Sequence, residues 1–176
     1  VVFDEAYGEF ARAVSADFPN TIPYIKEGRN VLIIRTLSKT YGLAGSRVGY
    51  VMGPYPLIEI MMRVQEPYTV NILAQAAAAA ALDDQQFLQQ TIDLTNEGRA
   101  YLTKELTVLG FHCLPSYTNF LFVDMQRESK PIQEALAAKG YLIRVGGGWN
   151  RPTCARITIG TMPQNEGLVK ALKEVL

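Results

Sequence analysis

The sequence holds only two cysteines, Cys113 and Cys154, and a single histidine, His112. That set is too small for a structural zinc site or a disulfide framework, so a reducing, cytoplasmic setting is expected. An excess of either charge is also missing, because 17 Lys and Arg balance 17 Asp and Glu. With no net field to gather them, neither nucleic acid nor an anionic membrane surface is an expected partner. The longest weakly polar stretch, residues 72–82, is mostly alanine and falls far short of the ~20 apolar residues that cross a bilayer. No basic and then apolar leader opens the chain. It begins Val1-Val2-Phe3, a run that suits a buried strand and lacks a polar lead-in, so the sequence reads as a fragment.

What is present is enough apolar material for a core. Hydrophobic residues make up 48% and charged residues 19%, which excludes intrinsic disorder and allows one domain or two small ones over 176 residues. Short apolar runs at 1–3, 31–34 and 48–52, bounded by Asn30, Gly42, Gly45 and Gly53, predict buried strands. Pro56 predicts the first turn of a helix through Ile58, Met61, Met62 and Gln65, stopped by Pro67, with the two methionines as core filler. Asn71 is placed to cap a helix through the alanines at 76–81, whose small side chains let a neighbouring element come close.

Asp83 or Asp84 caps a longer helix in which Leu88, Ile92, Leu102, Leu106 and Leu109 keep near-helical spacing up to Gly110. That helix is expected to connect two bodies. Beyond it, strands are predicted at 111–114, 119–124, 141–145 and 155–159, with a helix at 129–139 and a last helix after Pro163. Strands alternating with helices make this an α/β chain. His112 and Cys113, on a short apolar strand, are expected to be packing residues.

Three groups of residues could carry chemistry. Asp4 stands where the first apolar run ends, and open α/β sheets bind ligands outside the carboxyl ends of their strands, although by itself it reads as a turn or cap residue. Ser38-Lys39 directly follows the run that ends at Thr36, with Gly42, Gly45, Ser46 and Arg47 close behind. Lys39 is either a solvated surface lysine or an imine-forming amine, and the second role needs the amine to shed its proton, which burial beside Arg47 would favour. The planar guanidinium of Arg47 also suits a phosphate. In the C-terminal half, Asn119, Arg144 and Arg156 stand at strand positions around Gly146-Gly147-Gly148-Trp149. An arginine inside an apolar strand, as at 156, implies an anionic partner, either a structural carboxylate or a ligand.

Asp4 and Tyr7, the segment Arg35-Thr36-Leu37-Ser38-Lys39-Thr40-Tyr41-Gly42-Leu43-Ala44-Gly45-Ser46-Arg47-Val48-Gly49-Tyr50, then Pro67-Tyr68-Thr69-Val70-Asn71, Thr118-Asn119-Phe120-Leu121 and Arg156 resemble, in this order, the fold-type-I pyridoxal-phosphate aminotransferases, the histidinol-phosphate aminotransferase family above all. The resemblance implies that residues 1–82 are the C-terminal part of a large cofactor-binding domain on a mainly parallel sheet. Residues 83–176 would be a connecting helix and a small α/β C-terminal domain. It implies pyridoxal phosphate as cofactor, with Lys39 as the covalent attachment point and later the proton carrier at the substrate α-carbon. Asp4 would face the pyridine nitrogen, Tyr7 the ring's phenolic oxygen, and Ser38 and Arg47 the phosphate. Asn119 and Arg156, with Arg144 as a second candidate, would take the anionic end of a small-molecule substrate.

The implied activity is transamination between histidinol phosphate and 2-oxoglutarate by a homodimeric enzyme. Members of the family carry a large upstream segment that this sequence lacks. The chain alone is therefore expected to bind cofactor weakly and to turn over little. Trp149 stands where the family pattern leads one to expect a smaller aromatic. Alternatives on the same residues are an aromatic amino-acid aminotransferase, a threonine-phosphate decarboxylase and a non-catalytic fragment.

Overall fold

In the computed structural model, which describes residues 1–176, the chain divides into two compact units, Val1–Ile92 and Asp93–Leu176. In the first, β1 (Val2–Asp4), β2 (Leu32–Thr36) and β3 (Gly49–Met52) form one sheet in that order. β1 and β2 are parallel, with Asp4 opposite Ile34, because α1 (Gly8–Val14) and α2 (Ile22–Lys26) fill their connection and carry the chain back to the starting end. Only a 3-10 turn, Ala44–Ser46, interrupts the β2–β3 loop, and β3 returns antiparallel with Gly49 opposite Thr36. As a result, the carboxyl ends of β1 and β2 and the amino end of β3 lie at one end of the sheet.

On one face of this sheet Phe3 stacks on Tyr24 of α2, with ring centroids 6.0 Å apart, and Ile33 is fully buried. Leu37, Val48 and Ala74 form a small core with Tyr41, Leu43 and Ala78. Asn71 does cap α4 (Ile72–Asp83), accepting from Ala74 N at 2.8 Å. Asp84 likewise accepts from Phe87 N at 2.9 Å at the head of α5 (Gln85–Val108). The boundary between the units falls inside α5.

One expectation needs correction in this unit. α3 (Tyr55–Val64) starts with Pro56 in its first turn as predicted, but Met61 and Met62 are exposed rather than core, Met62 by 64%. They line an open cleft of about 680 Å³ with Ile34, Tyr50 and Val51, and nothing in the unit covers it. Of the mainly parallel sheet expected for the large domain, this unit holds the parallel β1–β2 pair, and β3 adds an antiparallel strand because the β2–β3 loop lacks the helix a parallel crossover needs.

The second unit is a four-stranded antiparallel sheet in the order β4 (His112–Cys113), β5 (Phe120–Asp124), β7 (Cys154–Thr158), β6 (Arg144–Val145). Leu121, Val123, Ala155 and Ile157 face the helices and pack with Leu102 and Leu106 of α5, Leu136 of α6 (Ser129–Ala138) and Leu172 of α7 (Met162–Val175). A reciprocal pair of hydrogen bonds between Thr161 and Gln164 opens α7. By period-two alternation, Phe122 and Arg156 occupy the other face. The strand expected at 141–145 contracts to its last two residues, and His112 is exposed, so of the His112–Cys113 pair only Cys113 packs on the core. No helix is long and apolar enough to cross a membrane, and no cluster of His, Cys, Asp and Glu could hold a metal ion.

Candidate functional site

At the shared end of the first sheet, Asp4 closes β1 with its carboxylate exposed. Its Oδ1 accepts from Ala6 N at 3.1 Å, a turn that leads the chain into α1, and Oδ2 has no protein partner. The turn role foreseen for Asp4 is thus filled by Oδ1. Tyr7 immediately precedes α1. The β2–β3 loop brings Lys39 to it, with Nζ 5.3 Å from the Tyr7 ring centroid.

Lys39 is half-buried and sits on a closed loop rather than a loose one. Leu37 N donates to Val48 O at 3.2 Å, Leu43 N to Leu37 O at 3.0 Å and Gly42 N to Lys39 O at 3.0 Å. Gly42 makes the last bond at a positive φ of 70°. Ser38 N adds a 3.1 Å bond to Thr36 Oγ1.

Arg47 departs from expectation. It is exposed, its backbone is left-handed with φ 54°, and its Nη1 donates to Ala44 O at 2.9 Å. The left-handed step after the 3-10 turn sends the guanidinium back onto its own loop, so Arg47 is not buried beside Lys39. Ser38 and Arg47 do line the same cleft, while Lys39, Asp4 and Tyr7 lie outside its lining.

The sequence reading missed the residues that brace this end. Glu5, 5% exposed, accepts from the Thr21 hydroxyl, from Arg35 Nε at 3.0 Å and Nη2 at 2.9 Å, and from Arg12 at 3.5 Å. Burial alone would push its carboxyl up, but the hydrogen bonds of Thr21 and Arg35 and the charges of Arg35 and Arg12 outweigh it and hold Glu5 below the ordinary carboxylate value. Fully buried Thr40 donates to Glu9 Oε2 at 3.1 Å, and Arg12 reaches Glu9 at 3.5 Å. The signal available was Arg35, a charged residue in an apolar strand, together with the Asp4-Glu5 doublet at a strand exit.

In the second unit the register places Arg144 directly opposite Arg156, and Phe122 opposite Arg156 on the other side. Neither arginine makes an ion pair. Arg156 lies over the Phe120 ring at 5.1 Å, and its Nε is buried without a hydrogen-bond partner. Arg144 lies over the Trp149 ring at 4.8 Å. Asn119 precedes β5, and its backbone oxygen accepts from Ile159 N at 2.9 Å. Arg99 of α5, unremarked in the sequence, clamps the neighbouring turn by donating to Thr118 O at 2.8 Å, and is itself steadied by Asn96 Oδ1 of its own helix, to which it donates at 2.7 Å.

Taken as chemistry, the first unit offers a primary amine beside a phenol, a carboxylate at the same sheet end, and a hydroxyl with a guanidinium in one cleft. The second offers two unpaired guanidinium groups. The family model for aminotransferase class I and II matches residues 1–172. A histidinol-phosphate aminotransferase of Moorella thermoacetica is 44% identical over 177 residues, covering 100% of this chain and 45% of that protein. The enzyme of the same name from Bacillus subtilis is 42% identical over 176 residues, covering 100% of this chain and 48% of its own length. A crystal structure of histidinol-phosphate aminotransferase from Sinorhizobium meliloti in complex with pyridoxal-5'-phosphate superposes with a TM-score of 0.89 at 31% identity, over 99% of this chain and 48% of that one. The chain thus spans about half the length of the relatives it matches.

Proposed function

This chain belongs to the class I and II aminotransferase family, and on that premise we propose that it supplies the lysine-bearing part of a pyridoxal-phosphate-dependent enzyme that moves an amino group between histidinol phosphate and 2-oxoglutarate. The observation that carries the reading is Lys39 Nζ held against the Tyr7 ring at the sheet end where Asp4 also stands. The donor set fits the cofactor group by group. An amine matches an aldehyde, the Asp4 carboxylate a protonated ring nitrogen, the Tyr7 phenol a ring oxygen, and Ser38 with Arg47 a phosphate. When bound, the cofactor supplies an electron sink for the charge left at the substrate's α-carbon.

The chain's own residues do the rest. Lys39 Nζ would hold the cofactor covalently and, once freed, take a proton from the α-carbon and return it. The closed loop around it limits the positions Nζ can reach, which is what proton transfer over a fixed distance needs. Arg144 and Arg156 would take the anionic end of the substrate, with Asn119 contributing through the turn that precedes β5. Phosphate on histidinol phosphate and carboxylate on glutamate each present a pair of oxygens that a planar guanidinium can grip. Residues 1–82 are then the cofactor-bearing part and residues 83–176 the connecting helix and substrate-facing part. A homodimer in the cytoplasm belongs to the same proposal.

The test is chemical trapping. Pyridoxal phosphate added to the protein, followed by borohydride, should leave the reduced adduct on the peptide that contains Lys39, and Lys39→Arg should abolish it. An adduct found only on other lysines overturns the assignment. Glutamate formed from 2-oxoglutarate with histidinol phosphate as donor supports the substrate, whereas carbon dioxide released from threonine phosphate, or phenylalanine as the better donor, replaces it.

A further inference from the structure

Two arginines directly opposite one another on neighbouring strands repel, and in this sheet no carboxylate neutralises either. Arg156 has in addition a buried Nε that finds no acceptor. Such a pair is explained by an anion that is not part of the protein. Trp149, to which the proposed function gives no task, is built into the same face. Its ring lies 4.8 Å from the Arg144 guanidinium carbon and 5.9 Å from the Phe122 ring centroid at a tilt of 59°. Phe122 is on β5 and Arg144 on β6, with Arg156 on β7 between them. The indole therefore meets side chains of the two strands that flank β7, on the face that carries Arg156.

The turn that carries the indole is closely packed at its first residue. A Cβ on Gly146 would meet Arg151 O at 2.4 Å, and Asn150, left-handed at φ 55°, donates its N–H to Gly147 O at 3.2 Å. We infer that Trp149 is a positioning residue: stacked on Arg144, it holds that guanidinium on the strand face beside Arg156, where the two together take a phosphate monoester dianion. The substrate class rests on the proposed function; the positioning does not, because every residue named lies within Asp93–Leu176. A flat ring constrains a guanidinium that is otherwise free on a two-residue strand, and the dianion then meets a fork already in place.

Inorganic phosphate titrated into the 176-residue chain tests this, followed by phosphorus NMR line broadening and by the emission of the single tryptophan. Saturable binding is expected, with a change in emission that Arg144→Gln abolishes. Trp149→Ala should weaken binding by roughly three- to thirty-fold. Trp149→Phe, which keeps an aromatic face, should recover most of the loss; a merely structural role for the indole bulk would not be rescued by the smaller ring. The inference is overturned if Trp149→Ala binds phosphate as the unsubstituted chain does, if Trp149→Phe is no better than Trp149→Ala, or if phosphate does not bind. Should Trp149→Ala fail to fold, an emission response that survives Arg144→Gln still refutes it. Trapping on Lys39 reads the proposed function separately, so either idea can fail while the other stands.

Discussion

Thr40 Oγ1 donates a 3.1 Å hydrogen bond to Glu9 Oε2, tying the residue after Lys39 to the first turn of the helix that follows Tyr7. Because Thr40 is fully buried and next to Lys39, this bond sets where the loop sits relative to the phenol. Thr40→Val keeps the shape and removes the hydroxyl. A buried hydrogen bond contributes about 1 kcal/mol, so borohydride-trapped adduct on Lys39 should form about five-fold more slowly, while Thr40→Ser retains the rate. Equal trapping rates in Thr40→Val and the unsubstituted chain would remove Glu9 from any role in placing the amine.

Glu5 makes stability depend on pH in a definite direction. Its folded pKa lies below the ordinary value of 4.5, held there against burial by Thr21, Arg35 and Arg12. A depressed carboxylate contributes in full above its unfolded pKa and loses that contribution as pH falls through the lower folded value. Glu5→Gln leaves Arg35 and Arg12 facing an uncharged amide and should cost about 3 kcal/mol near neutrality. Urea denaturation at a series of pH values should show that difference constant from pH 7 to about 5.5 and shrinking below about 4.5. A difference that grows on acidification contradicts the assignment.

How much of this was legible in the sequence follows from the range of each interaction. β1, β2 and β3 are short apolar runs, β2 opening just after Asn30 and β3 closing at Gly53, and Lys39 declares itself as a charge just past β2. α1 and α2 carry no such mark: Tyr7 and Thr21 cap neither helix with a side chain, and α2 is only five residues long. The contact from Arg35 to Glu5 crosses 30 positions, and the opposition of Arg144 and Arg156 exists only once the register of β6 on β7 is fixed. Periodicity marked one side of α3 as apolar, yet it says nothing of what covers that side, hence the exposure of Met61 and Met62. The left-handed backbone of Arg47 has no signature in a residue other than glycine.

Arg99 is a half-buried cation with no carboxylate, and its partial burial lowers its pKa. Its Nε is buried without a partner, while its two terminal nitrogens make hydrogen bonds. What it does hold is Thr118 O, next to Asn119, whose own oxygen accepts from Ile159 N. Arg99→Met fills the stem volume without the charge. Overall stability should change by less than about 1 kcal/mol, whereas the Ile159 amide should exchange with solvent about ten-fold faster as the turn loosens. Unchanged exchange at Ile159 would show that the clamp does not fix the turn.

The three consecutive glycines before Trp149 are not equivalent. A Cβ at Gly147 or Gly148 meets nothing within 4 Å, while one at Gly146 would run into Arg151 O at 2.4 Å and Cys154 O at 2.9 Å. Both obstacles are backbone, and Cys154 begins β7, so neither can yield without moving the strand that carries Arg156. Gly146→Ala should therefore cost about 1–3 kcal/mol and shift the emission of Trp149. Gly147→Ala and Gly148→Ala should be neutral or stabilising by about 0.5 kcal/mol, because alanine restricts the unfolded chain and strains nothing in the fold. Thermal melts of the three variants separate these outcomes. If Gly146→Ala melts with the other two, the Gly146–Trp149 turn is soft and cannot serve as a fixed platform for the indole.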